Sequence, residues 1–263
     1  MSSAVKSVKV SQFALVQSIR FAAVAKDDQS SRYALGAICL DFCPQTKQLF
    51  VVGCDGRMLH WQRIDDVETN FEAETRWLLS LELVNYIKSL PTSNPRKVIE
   101  IVQTTNTPLA TKCWRGRDCR KEESKSWKEP FVEGRFPKWE QVIPEAADNV
   151  VYGQAQSFAQ MFEPITFVNF CANGSFISGK AEGVNFDWMD DLKSEGRVEF
   201  LVSPELMSRS MEAWYKERVL EIHSADKDAP ILIFAKDEEI MKQGAVVMPS
   251  HDNRHDRKRT SRK

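Results

Sequence analysis

Long apolar runs are missing from this chain. No stretch is long and apolar enough to cross a bilayer as a helix. The N-terminus also lacks the charged segment, apolar core and small-residue cleavage site of a secretory leader, so neither anchor nor leader is expected. Paired-cysteine spacing is missing too. The six cysteines sit in scattered contexts, several of them apolar, such as Ile38-Cys39-Leu40 and Asn169-Phe170-Cys171, and are expected to be reduced in a cytoplasmic protein. Catalytic signatures are equally scarce, with no nucleophile elbow, phosphate-binding glycine loop or zinc-protease helix. Cys113 and Cys119 have the wrong spacing for a zinc knuckle, and His251 and His255 lie in a polar tail. Asp65-Asp66 and Asp190-Asp191 read as solvated turns, and His60 beside Trp61 reads as part of a hairpin. Catalysis needs convergent groups. None are apparent, so no catalytic residue, metal or cofactor is expected.

A strong net charge is also absent. The formal charge is −1, yet the tail 251–263 carries a net +4 and leaves −5 on the remainder. One broad basic face for nucleic acid would make the chain more basic than this. What the chain does have is apolar content, 42% of residues, enough to build a sizeable core in one large or two ordinary domains.

The apolar patterning gives the elements. Val5–Val10 alternates as a strand, and Ser11 can cap a helix reaching about Ala25, with Leu15, Val16, Ile19, Ala22 and Ala23 as its buried stripe. Residues 26–31 form a polar loop. Ala37–Phe42 and Leu49–Cys54 read as strands, Asp55-Gly56 as a tight turn, and Met58–Ile64 as the returning strand. Trp77–Leu79 is a short strand, and Ser80 can cap a helix with Leu83, Val84, Ile87 and Leu90 on its apolar face, ended by Pro91. Strands are expected at Val98–Val102 and Leu109–Trp114, and a flexible charged loop over 115–130.

The second half repeats the first. Trp77–Ser80, a helix, then Lys97–Ile101 is matched by Phe200–Ser203, a helix, then Arg218–Ile222. Asp41-Phe42-Cys43 is paired with Asn169-Phe170-Cys171, and Asp55-Gly56 with Glu182-Gly183. A repeat this long is a domain duplication. Ser203 is expected to cap the later helix, with Pro204 at its first position.

Between the halves lies Phe131–Pro144, FVEGRFPKWEQVIP, where Pro137 forces Phe136 into an extended conformation and Trp139, Val142 and Ile143 crowd a short stretch. This segment is similar to the one joining the second and third domains of the bacterial DNA polymerase III beta sliding clamp. RYAL at Arg32–Leu35, CDGRML at Cys54–Leu59 and VVMP at Val246–Pro249 also resemble that family, in the family's order. The resemblance implies an α+β DNA clamp fold: two similar domains, each with two helices packed on antiparallel sheets. The domains would be 1–144 and 145–250, like the clamp's middle and C-terminal domains, with 251–263 a basic, disordered tail. The family's chain ends close to Pro249, so the tail is a departure.

The resemblance further implies a non-enzymatic processivity factor that encircles duplex DNA. Rings of this fold close with six domains, so two domains per chain imply a homotrimer, as in proliferating-cell nuclear antigen. Polymerase and clamp-loader peptides would enter a pocket matching Leu35, Cys54, Gly56, Arg57, Met58, Leu59, Pro137, Val142, Val246 and Met248. Cys54 replaces the family's threonine, and Arg57-Met58 its histidine-arginine, which alters the expected peptide preference. DNA phosphates would meet Arg20, Lys88, Arg209 and Lys216 on the helices, and Gln29, Arg32 and Tyr33 in a loop. Two other readings stand beside this one. The first is a clamp-like adaptor that binds replication proteins without encircling DNA. The second is a metal-dependent hydrolase of nucleic acid, which a divalent ion among Asp or Glu side chains would favour.

Overall fold

The computed structural model of the chain describes residues 6–26, 35–70, 72–104, 107–114, 123–126, 131–162, 168–173, 176–181, 184–188 and 192–249. They form two compact units. The first comprises residues up to Glu140 together with Glu239–Gly244, and the second comprises Gln141–Glu238 and the residues from Ala245 onward.

The first unit begins with β1 (Lys6–Ser11) and α1 (Gln12–Ala22). Ser11 caps the helix, its hydroxyl accepting from the Ala14 N–H at 3.4 Å. The helix stops at Ala22 and a 3-10 turn carries the chain through Ala23–Ala25, so Ala23 lies outside the buried stripe and is half-buried. Gln12, Ser18 and Phe21 join Leu15, Val16, Ile19 and Ala22 on the buried side. Then follow β2 (Ile38–Cys43), β3 (Gln48–Cys54), β4 (Met58–Ile64), β5 (Glu68–Thr69) and β6 (Thr75–Leu79). Ser80 caps α2 (Leu81–Ser89) by accepting from the Leu83 N–H at 3.3 Å. Next are β7 (Val98–Thr104), β8 (Thr107–Trp114) and β9 (Glu123–Ser126). The last corrects the expected loop over 115–130: Glu123–Ser126 pairs with Ala110–Cys113, because β8 offers an edge that a polar strand can complete through its backbone alone.

The second unit runs β10 (Val150–Gln154), α3 (Ala155–Phe162), β11 (Val168–Asn173), β12 (Phe176–Ala181), β13 (Val184–Trp188), β14 (Lys193–Glu195) and β15 (Arg197–Val202). It continues with α4 (Pro204–Glu212), β16 (Val219–His223), β17 (Ile231–Ala235) and β18 (Gln243–Val247), of which Ala245–Val247 lie in this unit. Pro204 opens α4, but the Ser203 hydroxyl makes no capping bond; only its carbonyl accepts, from the Met207 N–H at 3.1 Å. With φ already fixed by proline, the helix starts without a side-chain cap.

The strand orders show the duplication. The first unit contains β5-β1-β7-β8-β9 and β4-β3-β2-β6, and adding nine to every label gives the second unit's β14-β10-β16-β17-β18 and β13-β12-β11-β15. Single hydrogen bonds repeat as well: Gln12 N–H donates to Lys97 O at 2.8 Å, and Ala155 N–H to Arg218 O at 2.9 Å. The register also corrects one sequence pairing. Leu40 faces Trp77 as Phe170 faces Phe200, so Asn169-Phe170-Cys171 corresponds to Cys39-Leu40-Asp41 rather than to Asp41–Cys43. A shift of two residues keeps every side chain on its own face, so alternation alone cannot detect it.

In the first unit α1 lies over β3 and β4 and beside α2. Gly53 permits that approach, since a Cβ there would stand 1.9 Å from the Ala22 carbonyl oxygen. Leu15, Val16, Ile19, Leu83, Val84 and Ile87 close a core against the apolar residues of β2, β3, β6 and β7. His60 is fully buried in β4 with its ring 4.8 Å from Phe21. The second unit buries Phe158, Met207 and Met211 from its helices with Phe200, Leu220 and all five residues of β17.

Candidate functional site

The β3–β4 turn is built around Asp55. Its Oδ1 accepts from the N–H groups of Arg57 at 2.7 Å and Met58 at 2.6 Å, and its own N–H donates to Met58 O at 3.2 Å. Gly56 takes φ +85, which favours glycine. A Cβ on Gly56 would lie 3.7 Å from Leu35 Cδ1, so Leu35 sits over the turn. Cys54 pairs with Leu59 across the hairpin, and its Sγ accepts from Gly56 N–H at 3.4 Å. Burial pushes the Cys54 thiol up and the Asp55 charge adds to this, while the Gly56 hydrogen bond opposes both. Six sequence-predicted site residues are thus brought together: Leu35, Cys54, Gly56, Arg57, Met58 and Leu59. Arg57 is exposed; Met58 and Leu59 are buried.

Pro137, also in the first unit, is exposed between buried Phe136 and buried Trp139. The Trp139 indole N–H donates to Asp41 Oδ2 at 2.9 Å, and its ring packs 5.2 Å from Phe50 and 6.2 Å from Trp61. Arg76 reaches Asp41 at 2.8 Å and Glu140 at 2.7 Å. Partial burial works against the Arg76 charge, but the hydrogen bond and charge of Asp41 and the charge of Glu140 outweigh it and hold the guanidinium above its usual value. The remaining predicted members belong to the second unit. Val246 is buried, whereas Val142 is 40% and Met248 37% exposed.

Sequence reasoning overlooked Trp61 and Arg76, and read Asp41 only as a repeat marker. Trp61 is fully buried, its indole N–H donating to Ile240 O at 3.0 Å. Arg63 N–H donates to Lys242 O at 2.7 Å, and its guanidinium lies 3.1 Å from Glu239. Segment 239–244 is therefore fastened along β4. A tryptophan and an arginine in a strand that otherwise reads as an ordinary hairpin arm were the available signal.

Of the predicted DNA-contacting residues, Arg20 and Lys88 are exposed in the first unit, where Arg20 donates to the Lys88 carbonyl at 2.8 Å. Arg209 is half-buried on α4. Lys216 is exposed but corrects its expected helix position: α4 ends at Glu212, and Lys216 sits in the following turn, where its carbonyl accepts from Gln156 N–H. Gln29, Arg32 and Tyr33 fall outside the described residues, as do Asp190-Asp191 and the tail with His251 and His255; the side chains of Cys113 and Cys119 are not described either. Among the described residues no three His, Cys, Asp or Glu side chains gather as a metal site would require.

No protein-family signature and no curated protein sequence matches this chain. Solved structures do. The DNA polymerase sliding clamp of Pseudomonas aeruginosa is similar with a TM-score of 0.76 and 17% identity, over 93% of this chain and 66% of its own. The DNA polymerase III beta subunit of Thermotoga maritima gives 0.75 and 16%, over 95% and 66%. A putative DNA polymerase III beta subunit of Eubacterium rectale gives 0.74 and 14%, over 93% and 65%. The chain thus spans just under two thirds of the length of each. With its duplicated ladders and paired helices, this protein has the DNA clamp fold of the bacterial DNA polymerase III beta subunits.

Proposed function

We propose that this protein is a non-enzymatic, cytoplasmic processivity factor that encircles duplex DNA and tethers a polymerase or other replication protein by a short peptide. The observation that carries the reading is the exact-order duplication of ladders and helices in a fold shared with sliding clamps. Retention on DNA would be topological, and tethering would raise the local concentration of the enzyme at its substrate without new chemistry. The peptide site would draw on Leu35, Cys54, Gly56, Arg57, Met58, Leu59, Pro137, Val142, Val246 and Met248. Arg20, Lys88, Arg209, Lys216, Gln29, Arg32 and Tyr33 would meet phosphates.

Two clamp domains per chain require three chains for a six-domain ring. The edges favour head-to-tail assembly. In the first unit β4 is covered by segment 239–244, whereas β13, its counterpart, ends its sheet among the described residues. β9 also ends its sheet among the described residues, so pairing of β9 in one copy with β13 in the next would be a heterologous contact, and it would form a ring where the rotation closes.

Light scattering on the purified chain tests this. A mass near three times 30.1 kDa is expected. Retention on nicked circular DNA, lost on linearisation, would then identify topological binding. A stable single chain that still binds polymerase peptides would overturn the ring and leave the clamp-like adaptor.

A further inference from the structure

Residues 133–138 form neither helix nor strand. The chain leaves its ladder at Val132, whose N–H donates to Leu78 O at 2.8 Å. From there the segment is held by side chains: Phe136 and Trp139 are buried, and Pro137 between them faces outward. Beneath Trp139 lies a carboxylate. Asp41 is only 9% exposed, and its Oδ2 takes both the Trp139 indole N–H and Arg76, which in turn reaches Glu140.

A buried carboxylate is unfavourable unless fully paired, and an apolar residue could fill the same space without that cost. What the carboxylate adds is direction. A hydrophobic floor would let the indole slide or rotate, while a charged acceptor fixes the ring, and the shared guanidinium ties down the Glu140 side chain one residue further on.

We infer that Asp41 is a positioning residue: through the indole of Trp139 and the guanidinium of Arg76 it holds Phe136–Glu140 in the conformation that presents Pro137 to a peptide partner. This rests on the peptide-site reading above and adds residues that do not touch the peptide.

The test is fluorescence anisotropy of the full chain with a fluorescein-labelled hexapeptide bearing leucine and phenylalanine anchors. Asp41→Leu and Trp139→Phe each remove the hydrogen bond, and affinity should weaken about tenfold, as the loss of one buried bond implies. Asp41→Asn keeps the side-chain shape and an acceptor for the indole but loses the charge that pairs with Arg76, so its affinity should fall between that of the parent and that of Asp41→Leu. Oligomer mass and circular dichroism should stay parental. If Asp41→Leu fails to fold, Trp139→Phe carries the test. Parental affinity in a folded Trp139→Phe or Asp41→Leu protein, with binding lost in Met248→Glu, overturns the positioning role alone. Parental binding by Met248→Glu, or no binding by the parent, overturns the peptide site and this inference with it.

Discussion

Trp61 donates its indole N–H to the carbonyl of Ile240, 3.0 Å away and 179 positions along the chain. The bond ties the first unit's hairpin to a segment that the chain supplies only near its end. Gly244 lies flat against the same indole, where an added Cβ would stand 2.3 Å from Cζ2.

Gly244→Ala should therefore destabilise the protein by about 1–3 kcal/mol, the usual cost of overpacking. A urea titration measures it. An unchanged midpoint would mean that the segment is not pressed against Trp61.

Two glycines of the β3–β4 hairpin should respond differently. A Cβ at Gly53 meets the Ala22 backbone at 1.9 Å, which cannot yield without moving the end of α1. At Gly56 an added Cβ would meet only Leu35, at an ordinary contact distance of 3.7 Å, so φ +85 is what opposes a side chain, a strain of about 1 kcal/mol. Gly53→Ala is expected to lower the melting temperature more than Gly56→Ala; the reverse order would contradict the packing of α1 on β3.

The buried thiols set a pH dependence. Burial raises Cys39 far above a free thiol's usual 9.0, with the Asp41 charge adding to it, and burial also raises Cys54. The folded chain keeps protons that the unfolded chain releases. Their contribution to stability is full below pH 9.0 and declines as pH rises past that value. Urea midpoints between about pH 8 and about pH 10.5 should fall more steeply for the parent than for Cys39→Ala. Equal slopes would show that Cys39 ionises freely in the fold. Cys54 should also react with iodoacetamide more slowly than a peptide thiol.

Charge at the candidate peptide site should act by exposure. Met248 is 37% exposed, so Met248→Glu should abolish peptide binding with the oligomer intact. Leu59 is 2% exposed, so Leu59→Asp should unfold the hairpin, since an unpaired buried carboxylate costs several kcal/mol. Peptide affinity and circular dichroism, measured together, separate the two effects.

The hairpin from Gln48 to Ile64 was readable because its alternation, its Asp-Gly turn and its returning strand agree with one another. Helix α2 was readable from Ser80 and the spacing of Leu83, Val84 and Ile87. Helix α3 was not: Ala, Gln and Ser dominate it, and among its described side chains only Ala155 and Phe158 are buried. Strand β9, ESKS, has no apolar alternation and owes its conformation to its neighbour. The pocket candidates came from four short motifs, but the supports beneath them did not. Asp41 and Trp139 are 98 positions apart, and nothing local in either sequence announces that they meet.

That the first unit needs residues 239–244 has a consequence for synthesis. When residue 140 leaves the ribosome, the indole of Trp61 still lacks its acceptor, and about a hundred further residues must be translated before Ile240 arrives. At the usual speed of elongation that delay is roughly 5 to 20 seconds. The nascent chain must pass it with the indole of Trp61 unpaired and the face along β4 unfinished.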